Sequence, residues 1–293
     1  MTYSEMFNSA VYRRDTVDIA YRMAGDGPPL LLLHGFPQTN FMWHKIAPAL
    51  AANFTVIAAD LRGYGDSSKP PTDSDHSPYS KRVMAADMIS LMASLGHASF
   101  AVAGHDRGGR VAHRMARDHP DVISRLAVLD IAPTASMYGQ TDMRFATAYY
   151  HWFFLIQPAP LPEKMIGADP EFYLRTKGAH WGRTEGAFTE AAFADYLRCF
   201  RQPETIHAMC EDYRAAATID LQHDATDAGQ KLVMPVMALW GASGFVGSAY
   251  DVLAEWRAVA QDVMGPRSAQ RPLSSRRGAA GNAGRITGFL QVK

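Results

Sequence analysis

The sequence predicts an α/β fold, a mostly parallel, doubly wound sheet carrying an inserted helical segment. Three observations lead to it. Apolar, strand-like runs alternate with helical patterns as far as residue 130. Several of those runs, such as Leu30-Leu31-Leu32-Leu33, are apolar throughout, as strands covered on both faces are. Between residues 134 and 217 the strand pattern disappears and aromatic residues gather at helical spacing.

Residues 17–22 alternate apolar and polar and predict a half-exposed strand. A Gly/Pro turn at 25–29 leads to the buried strand at 30–33, which ends in His34-Gly35-Phe36-Pro37-Gln38. Ile46, Leu50 and the neighbouring alanines predict a helix. A third strand at 55–59 closes in Asp60-Leu61-Arg62-Gly63-Tyr64-Gly65-Asp66-Ser67-Ser68, and a helix is expected over 81–95. The strand from Phe100 turns sharply at Gly104-His105-Asp106-Arg107-Gly108 into a helix with Val111, Ala112, Met115 and Ala116 on one face. Its small residues let the backbone turn tightly, so that the Asp106 side chain projects above the sheet. Alone, Asp106 suits a helix N-cap equally well. Another buried strand follows at 126–130, and the strand pattern resumes at 232–240. Residues 1–133 and 218–293 are therefore expected to form the sheet domain. Residues 134–217, with Tyr149, Tyr150, His151, Trp152, Phe153 and Phe154 as their densest aromatic cluster, are expected to form a helical cap over the strand ends.

Composition narrows the function classes. The 293 residues are 47% hydrophobic, enough for a substantial core. The 29 basic and 29 acidic residues cancel, which gives no electrostatic case for nucleic acid or an anionic membrane. No apolar run approaches the roughly 20 residues of a membrane span, and the first residues lack the pattern of a secretory signal. Cys199 and Cys210 alone make neither a disulfide framework nor a zinc clip. No His-Glu-x-x-His and no strand-borne Gly-x-Gly-x-x-Gly is present, so neither metal hydrolysis nor a dinucleotide cofactor is expected. The expectation is a cytoplasmic protein acting on a small molecule. A homodimer is compatible with it, although the sequence fixes no oligomeric state.

The segments His34-Gly35-Phe36-Pro37, Asp60-x-Arg62-Gly63-x-Gly65-x-Ser67 and Gly104-His105-Asp106-x-Gly108-Gly109, in this order, resemble the aspartate-nucleophile α/β-hydrolases. Arg107 and Arg110 beside the nucleophile, Asp130-Ile131-x-Pro133-Thr134, His151-Trp152 and Asp212-Tyr213-Arg214-Ala215 resemble the haloacetate (fluoroacetate) dehalogenases, and the similarity runs over about 17–256. The strand-to-helix turn is then a nucleophile elbow. The resemblance implies that Asp106 attacks carbon and forms an alkyl ester. It implies that Arg107 and Arg110 hold the substrate carboxylate, a task suited to guanidinium groups at a helix N-terminus. His151, Trp152 and Tyr213 would donate to the departing halide, and the backbone N–H groups of Phe36 and Arg107 would form an oxyanion hole. Asp130 is expected to be the triad acid, because the loop after the next strand, Gly241-Ala242-Ser243-Gly244-Phe245, holds no carboxylate. His34 is read as structural and His105 as a packed neighbour of the elbow, while His180-Trp181 receives no role.

One departure matters. Water must be activated against the ester by a base, which these relatives place in a Gly-Gly-His-Phe-like loop after the last strand. This chain has no His after His223, and His223 itself does not match that motif. Around the expected position, near 272, the chain reads Gln270-Arg271-Pro272-Leu273-Ser274-Ser275-Arg276-Arg277-Gly278-Ala279-Ala280, neither strand nor family-like helix. One set of codons that would encode 271–277 and the first base of Gly278 is CGG-CCA-CTT-TCT-AGT-CGA-AGA-G. Displaced by one base, they read Gly-His-Phe-Leu-Val-Glu-Glu. The hypothesis is that residues 264–285 are out of frame, with the frame restored near Ile286-Thr287-Gly288-Phe289-Leu290.

Two rival functions remain at this stage. An epoxide hydrolase would share the elbow and use Tyr149 or Tyr150 with Tyr213 to protonate the epoxide oxygen, but would need neither Arg107 nor Arg110. A non-catalytic carboxylate-binding relative would fit the missing histidine. For the frame hypothesis, sequencing the gene is expected to show the Gly-His-Phe motif in an alternative frame over 271–277; a gene lacking it in every frame would refute the idea.

Overall fold

The structure is a computed structural model that describes residues 2–181, 189–241, 244–265 and 276–291. Its strands are β1 (Asn8–Arg14), β2 (Val17–Ala24), β3 (Pro29–Leu33), β4 (Thr55–Ala59), β5 (Phe100–His105), β6 (Ile123–Leu129), β7 (Val236–Leu239) and β8 (Val263–Met264). They form one sheet in the order β1-β2-β4-β3-β5-β6-β7-β8. The β1–β2 and β2–β4 pairs are antiparallel, and every pair from β4–β3 onward is parallel.

Strand periodicity divides the core between the two faces of this sheet. Leu31, Leu33, Ile57, Val102 and Val128 pack on one side, while Leu30, Leu32, Val56, Ala58 and Ala103 pack on the other. This is why β3 and β4 read as unbroken apolar runs. The helices Lys81–Ser94 and Asp106–Asp118 cover the first face. Ile286, Phe289 and Leu290 of the helix Arg276–Gln291 join the second, with Trp43, Leu50 and Phe54.

Between β6 and β7 the described residues hold helices and no strand, the longest being Pro170–Trp181, Glu190–Phe200 and Pro203–Ala217. Pro203–Ala217 is buried around most of its circumference, including Glu211, Asp212 and Arg214. No helix among the described residues is long and apolar enough to cross a membrane.

The structure corrects the sequence reading in four places. β1 had not been foreseen, because it is an exposed edge strand without an apolar face. The strand expected over 232–240 is only Val236–Leu239; Pro235 has no N–H to give, and Leu232 forms an isolated bridge to Ala260. The helix around Ile46 is a short turn, Ala47–Leu50, preceded by a 3-10 turn at Asn40–Lys45. Residues 276–280, read as neither strand nor family-like helix, lie in Arg276–Gln291, a helix rich in glycine whose apolar positions Ile286, Phe289 and Leu290 are spaced three and four apart. The expected base position near 272 lies outside the described residues.

The elbow depends on close backbone approach. A Cβ on Gly104 would stand 2.4 Å from the Gly108 carbonyl oxygen, and a Cβ on Gly108 would stand 2.4 Å from that of His34. Gly108→Ala is expected to cost about 2 kcal/mol or more, since only backbone could give way. Urea denaturation checks this; an unchanged midpoint would contradict it.

Candidate active site

Three adjacent parallel strands, β3, β5 and β6, end at one place, and each end carries a residue singled out from the sequence. β3 delivers His34 and Phe36, β5 delivers Asp106 and β6 delivers Asp130. The two carboxylates share an unusual backbone, with φ of 45° at Asp106 and 58° at Asp130, the left-handed region that non-glycine residues rarely occupy. The N-cap reading of Asp106 fails: the helix Asp106–Asp118 is capped by His105, without a side-chain hydrogen bond. The Asp106 carboxylate instead accepts a hydrogen bond at Oδ2 from the Phe36 N–H, at 3.1 Å.

His34 is fully buried and acts within the scaffold. Its Nδ1–H donates to the Gly35 carbonyl at 3.0 Å, and its Nε2 accepts from the Leu61 N–H at 3.1 Å. Burial pushes its pKa down to about 4, which keeps the imidazole neutral. Asp130 accepts from the Gly241 N–H at 3.2 Å, so the loop after β7 engages this carboxylate through its backbone. Burial raises the Asp130 pKa, against the opposing pull of His105 and of the Gly241 N–H, while Asp106 adds to the rise.

Arg107 is wholly buried, and its two-pronged edge is engaged. Nε donates to Asp212 Oδ2 at 2.8 Å, and Nη2 donates to Asp212 Oδ1 at 2.6 Å and to the Asp212 carbonyl at 2.7 Å. Its Cζ lies 4.2 Å from the centre of the Tyr213 ring, a cation–π contact. Asp212 also pairs with Lys81 and accepts from the Tyr64 hydroxyl at 2.6 Å. Burial alone would raise the Asp212 pKa; Arg107 and Lys81 outweigh it and hold the carboxyl well below the usual carboxylate range.

Arg110 is held differently. Nη1 donates to the Ala132 carbonyl at 3.2 Å and to Thr134 Oγ1 at 2.8 Å, Nη2 reaches Met137 Sδ at 3.2 Å, and Cζ lies 4.7 Å from the Trp152 ring centre. Its contacts are neutral, and it makes no carboxylate ion pair among the described residues. Burial lowers its pKa and Arg107 adds to this, while the Asp106 carboxylate opposes it.

The aromatic residues form a continuous wall beside these groups. Phe36 lies 5.2 Å from Tyr213 and 6.1 Å from His151, ring centre to ring centre; Tyr213 lies 5.8 Å from His151 and 6.3 Å from Trp152. His151 is buried, and desolvation, with Lys177 and Arg107 adding, keeps it neutral. The Tyr213 hydroxyl is buried without a hydrogen-bond partner among the described residues, as are Arg107 Nη1 and Arg110 Nε. An unpaired buried donor costs about 1–3 kcal/mol, so three of them around the Asp106 carboxylate mark a place built for an acceptor.

The structure thus brings Asp106, Asp130, Phe36, Arg107, Arg110, His151, Trp152 and Tyr213 into one cluster. Tyr149 and Tyr150 part company. Tyr149 is packed against Phe245 at 4.8 Å and feels both Asp106 and Asp130, whereas Tyr150 is exposed with Lys177 over its ring. His223 is not with them: its charged neighbours are Arg82, Asp220, Arg114 and Asp118, and Arg114 is eight positions, about 12 Å, along the helix from Asp106. The side chains of His180 and Trp181 lie outside the described residues. Asp212, Lys81, Tyr64 and Tyr138 had been given no role from the sequence. Asp212 carried a hint, being next to Tyr213, and Tyr138 stands one helical turn from Thr134.

Comparison with known proteins shows the family and the fold. A family model described as alpha/beta hydrolase fold matches residues 28–267. Fluoroacetate dehalogenase from Burkholderia sp is 48% identical over 235 residues, 80% of this chain and 77% of that protein. Soluble epoxide hydrolase from Corynebacterium sp. (strain C12) is 38% identical, over 84% of this chain and 83% of that protein. The solved structure of ALR0039 from Nostoc sp PCC 7120, provisionally assigned as an alpha/beta hydrolase, superposes with a TM-score of 0.96 at 54% identity, covering 99% of this chain and 100% of that one.

Asp212→Asn leaves Arg107 and Lys81 facing a neutral amide in the interior, at an expected cost of about 3–5 kcal/mol at neutral pH. Because the folded carboxyl titrates below the unfolded one, the wild-type advantage is complete above the unfolded pKa and fades as pH falls below about 4. Chemical denaturation of both proteins across pH tests this; a penalty independent of pH would contradict it.

Proposed function

The chain belongs to the α/β-hydrolase family, and from that premise we propose that it cleaves the carbon–halogen bond of a haloacetate through an alkyl ester on Asp106. One Asp106 oxygen attacks the carbon bearing the halogen, and the halide leaves with the bonding electron pair. Water then adds to the ester carbonyl, glycolate departs, and the carboxylate is restored with release of a proton. Fluoroacetate and chloroacetate are the substrates that fit.

The observation that carries this reading is the set of unpartnered buried donors beside the nucleophile, together with an Arg110 that has only neutral contacts. A carboxylate cannot approach an anionic substrate unless the substrate charge is met. Arg110 Nε and Arg107 Nη1 supply that, while Tyr213, His151 and Trp152 serve the halide as its charge develops. The Phe36 N–H already donates to Asp106 and is placed to steady the oxyanion of ester hydrolysis, with the Arg107 N–H as its companion. Residues 134–217 act in this reading as a cap that keeps the site dry, and Asp130 is the acid.

Ester opening is the weak step, because no histidine follows His223 and His223 stands apart from Asp106. The first half-reaction therefore outruns the second. An epoxide hydrolase is the second reading, supported by Tyr149 near both carboxylates and by the unpartnered Tyr213 hydroxyl; the buried Arg110, which an uncharged epoxide does not need, weighs against it. A carboxylate-binding relative without chemistry would bind acetate and release no halide.

Halide release from fluoroacetate and chloroacetate tests the proposal. Asp106→Asn is expected to abolish it. Tyr213→Phe is expected to slow halide release from fluoroacetate about 10²-fold, and from chloroacetate by less, because fluoride needs more help to leave. Opening of an epoxide with no release of halide would overturn the reading.

A further inference from the structure

Tyr138, in the helix Thr134–Gly139, is not accounted for by the elbow, the acid or the halide donors. Its ring lies 4.9 Å from that of Trp152, the ring that Arg110 also covers. Thr134, four positions earlier on the same helix face, holds Arg110 Nη1 at 2.8 Å, and Met137 touches Nη2. One turn of helix thus fixes the guanidinium and sets the phenol beside it. The Tyr138 hydroxyl is buried and has no hydrogen-bond partner among the described residues. Burial pushes its pKa up to about 12 despite the opposing field of Arg107 and Arg110, so it carries its proton at neutral pH and can donate.

The donors left over around Arg110 have a count and a chemistry. Asp212 occupies Nε and Nη2 of Arg107, leaving Nη1; Ala132, Thr134 and Met137 occupy the Nη groups of Arg110, leaving Nε. Neither arginine offers a full fork. A carboxylate has two oxygens with about four acceptor positions, one more than the three N–H bonds of Arg107 Nη1 (two) and Arg110 Nε (one) can fill. We propose that the Tyr138 hydroxyl is a third ligand of the substrate carboxylate, completing a site that Arg107 Nη1 and Arg110 Nε leave under-filled. The proposal rests on the haloacetate reading and assigns Tyr138 to binding, not to halide departure.

The test follows alkylation of Asp106 in a single turnover by mass spectrometry, which needs no base, with Tyr138→Phe against wild type. The half-saturating concentration of chloroacetate is expected to rise about 10–100-fold, the worth of one charge-assisted hydrogen bond, with little change in the maximal rate. Bromoacetate is expected to shift by the same factor, and so is the inhibition constant of acetate, which has no leaving group. Unchanged half-saturation, or a fall in maximal rate that is larger for the poorer leaving group, would overturn the assignment. So would a clear drop in the melting temperature of the ligand-free variant, since a hydroxyl without a protein partner costs nothing to remove. Absence of any adduct in wild type would instead sink the haloacetate reading itself.

Discussion

The buried pairing of Arg107 with Asp212 is the interaction on which the site depends. It ties the helix that begins at the nucleophile to the helix Pro203–Ala217, across 105 residues of sequence. Removing either charge leaves the other stranded in the interior, so the pair specifies how the helical segment sits on the sheet more than it adds net stability. Lys81 and the Tyr64 hydroxyl, both on Asp212, draw the start of the helix Lys81–Ser94 and the loop after β4 into the same arrangement. The pairing also decides chemistry. It consumes the Nε/Nη2 edge of Arg107, sets the guanidinium against the Tyr213 ring, and leaves Nη1 without a partner among the described residues. Position, orientation and residual hydrogen-bonding capacity of the cluster all follow from one carboxylate.

A second constraint operates on the other side of Asp106. The nucleophile holds a left-handed backbone because Gly104, Gly108 and the end of β3 pack within contact distances that no side chain could enter. That crowding turns the carboxylate toward the Phe36 N–H and away from the helix whose N-terminus it starts. Asp130, with the same backbone conformation one strand away, is held by an N–H from the loop after β7. The strain is local, and the parallel ladder on either side over-determines it.

Much of this was legible in the sequence where the signal is local. β3, β4 and β5 appear as apolar runs because both faces are covered, and the elbow appears as glycines around Asp106. The edge strand β1 was not legible, since it buries little and its pairing with β2 is set by a turn and not by apolar pattern. The site residues could be gathered by resemblance, but not the division of labour among them. That Arg107 spends its fork on Asp212 while Arg110 is held by a hydroxyl, a carbonyl and a thioether depends on contacts between distant segments. The helix at 276–291 shows the reverse case, where an unfamiliar sequence still forms a helix because Ile286, Phe289 and Leu290 give it a face to bury.

In the proposed reaction Asp106 is a nucleophile poised against an anionic substrate, in a chain poorly equipped to open the ester it forms. The most direct measurement is peptide mass mapping of the protein after exposure to chloroacetate. The account predicts a carboxymethyl group on the peptide containing Asp106, accumulating toward one per chain. Unmodified Asp106 in a protein that releases halide continuously would contradict the slow-opening step, and unmodified Asp106 with no halide released would contradict the nucleophile.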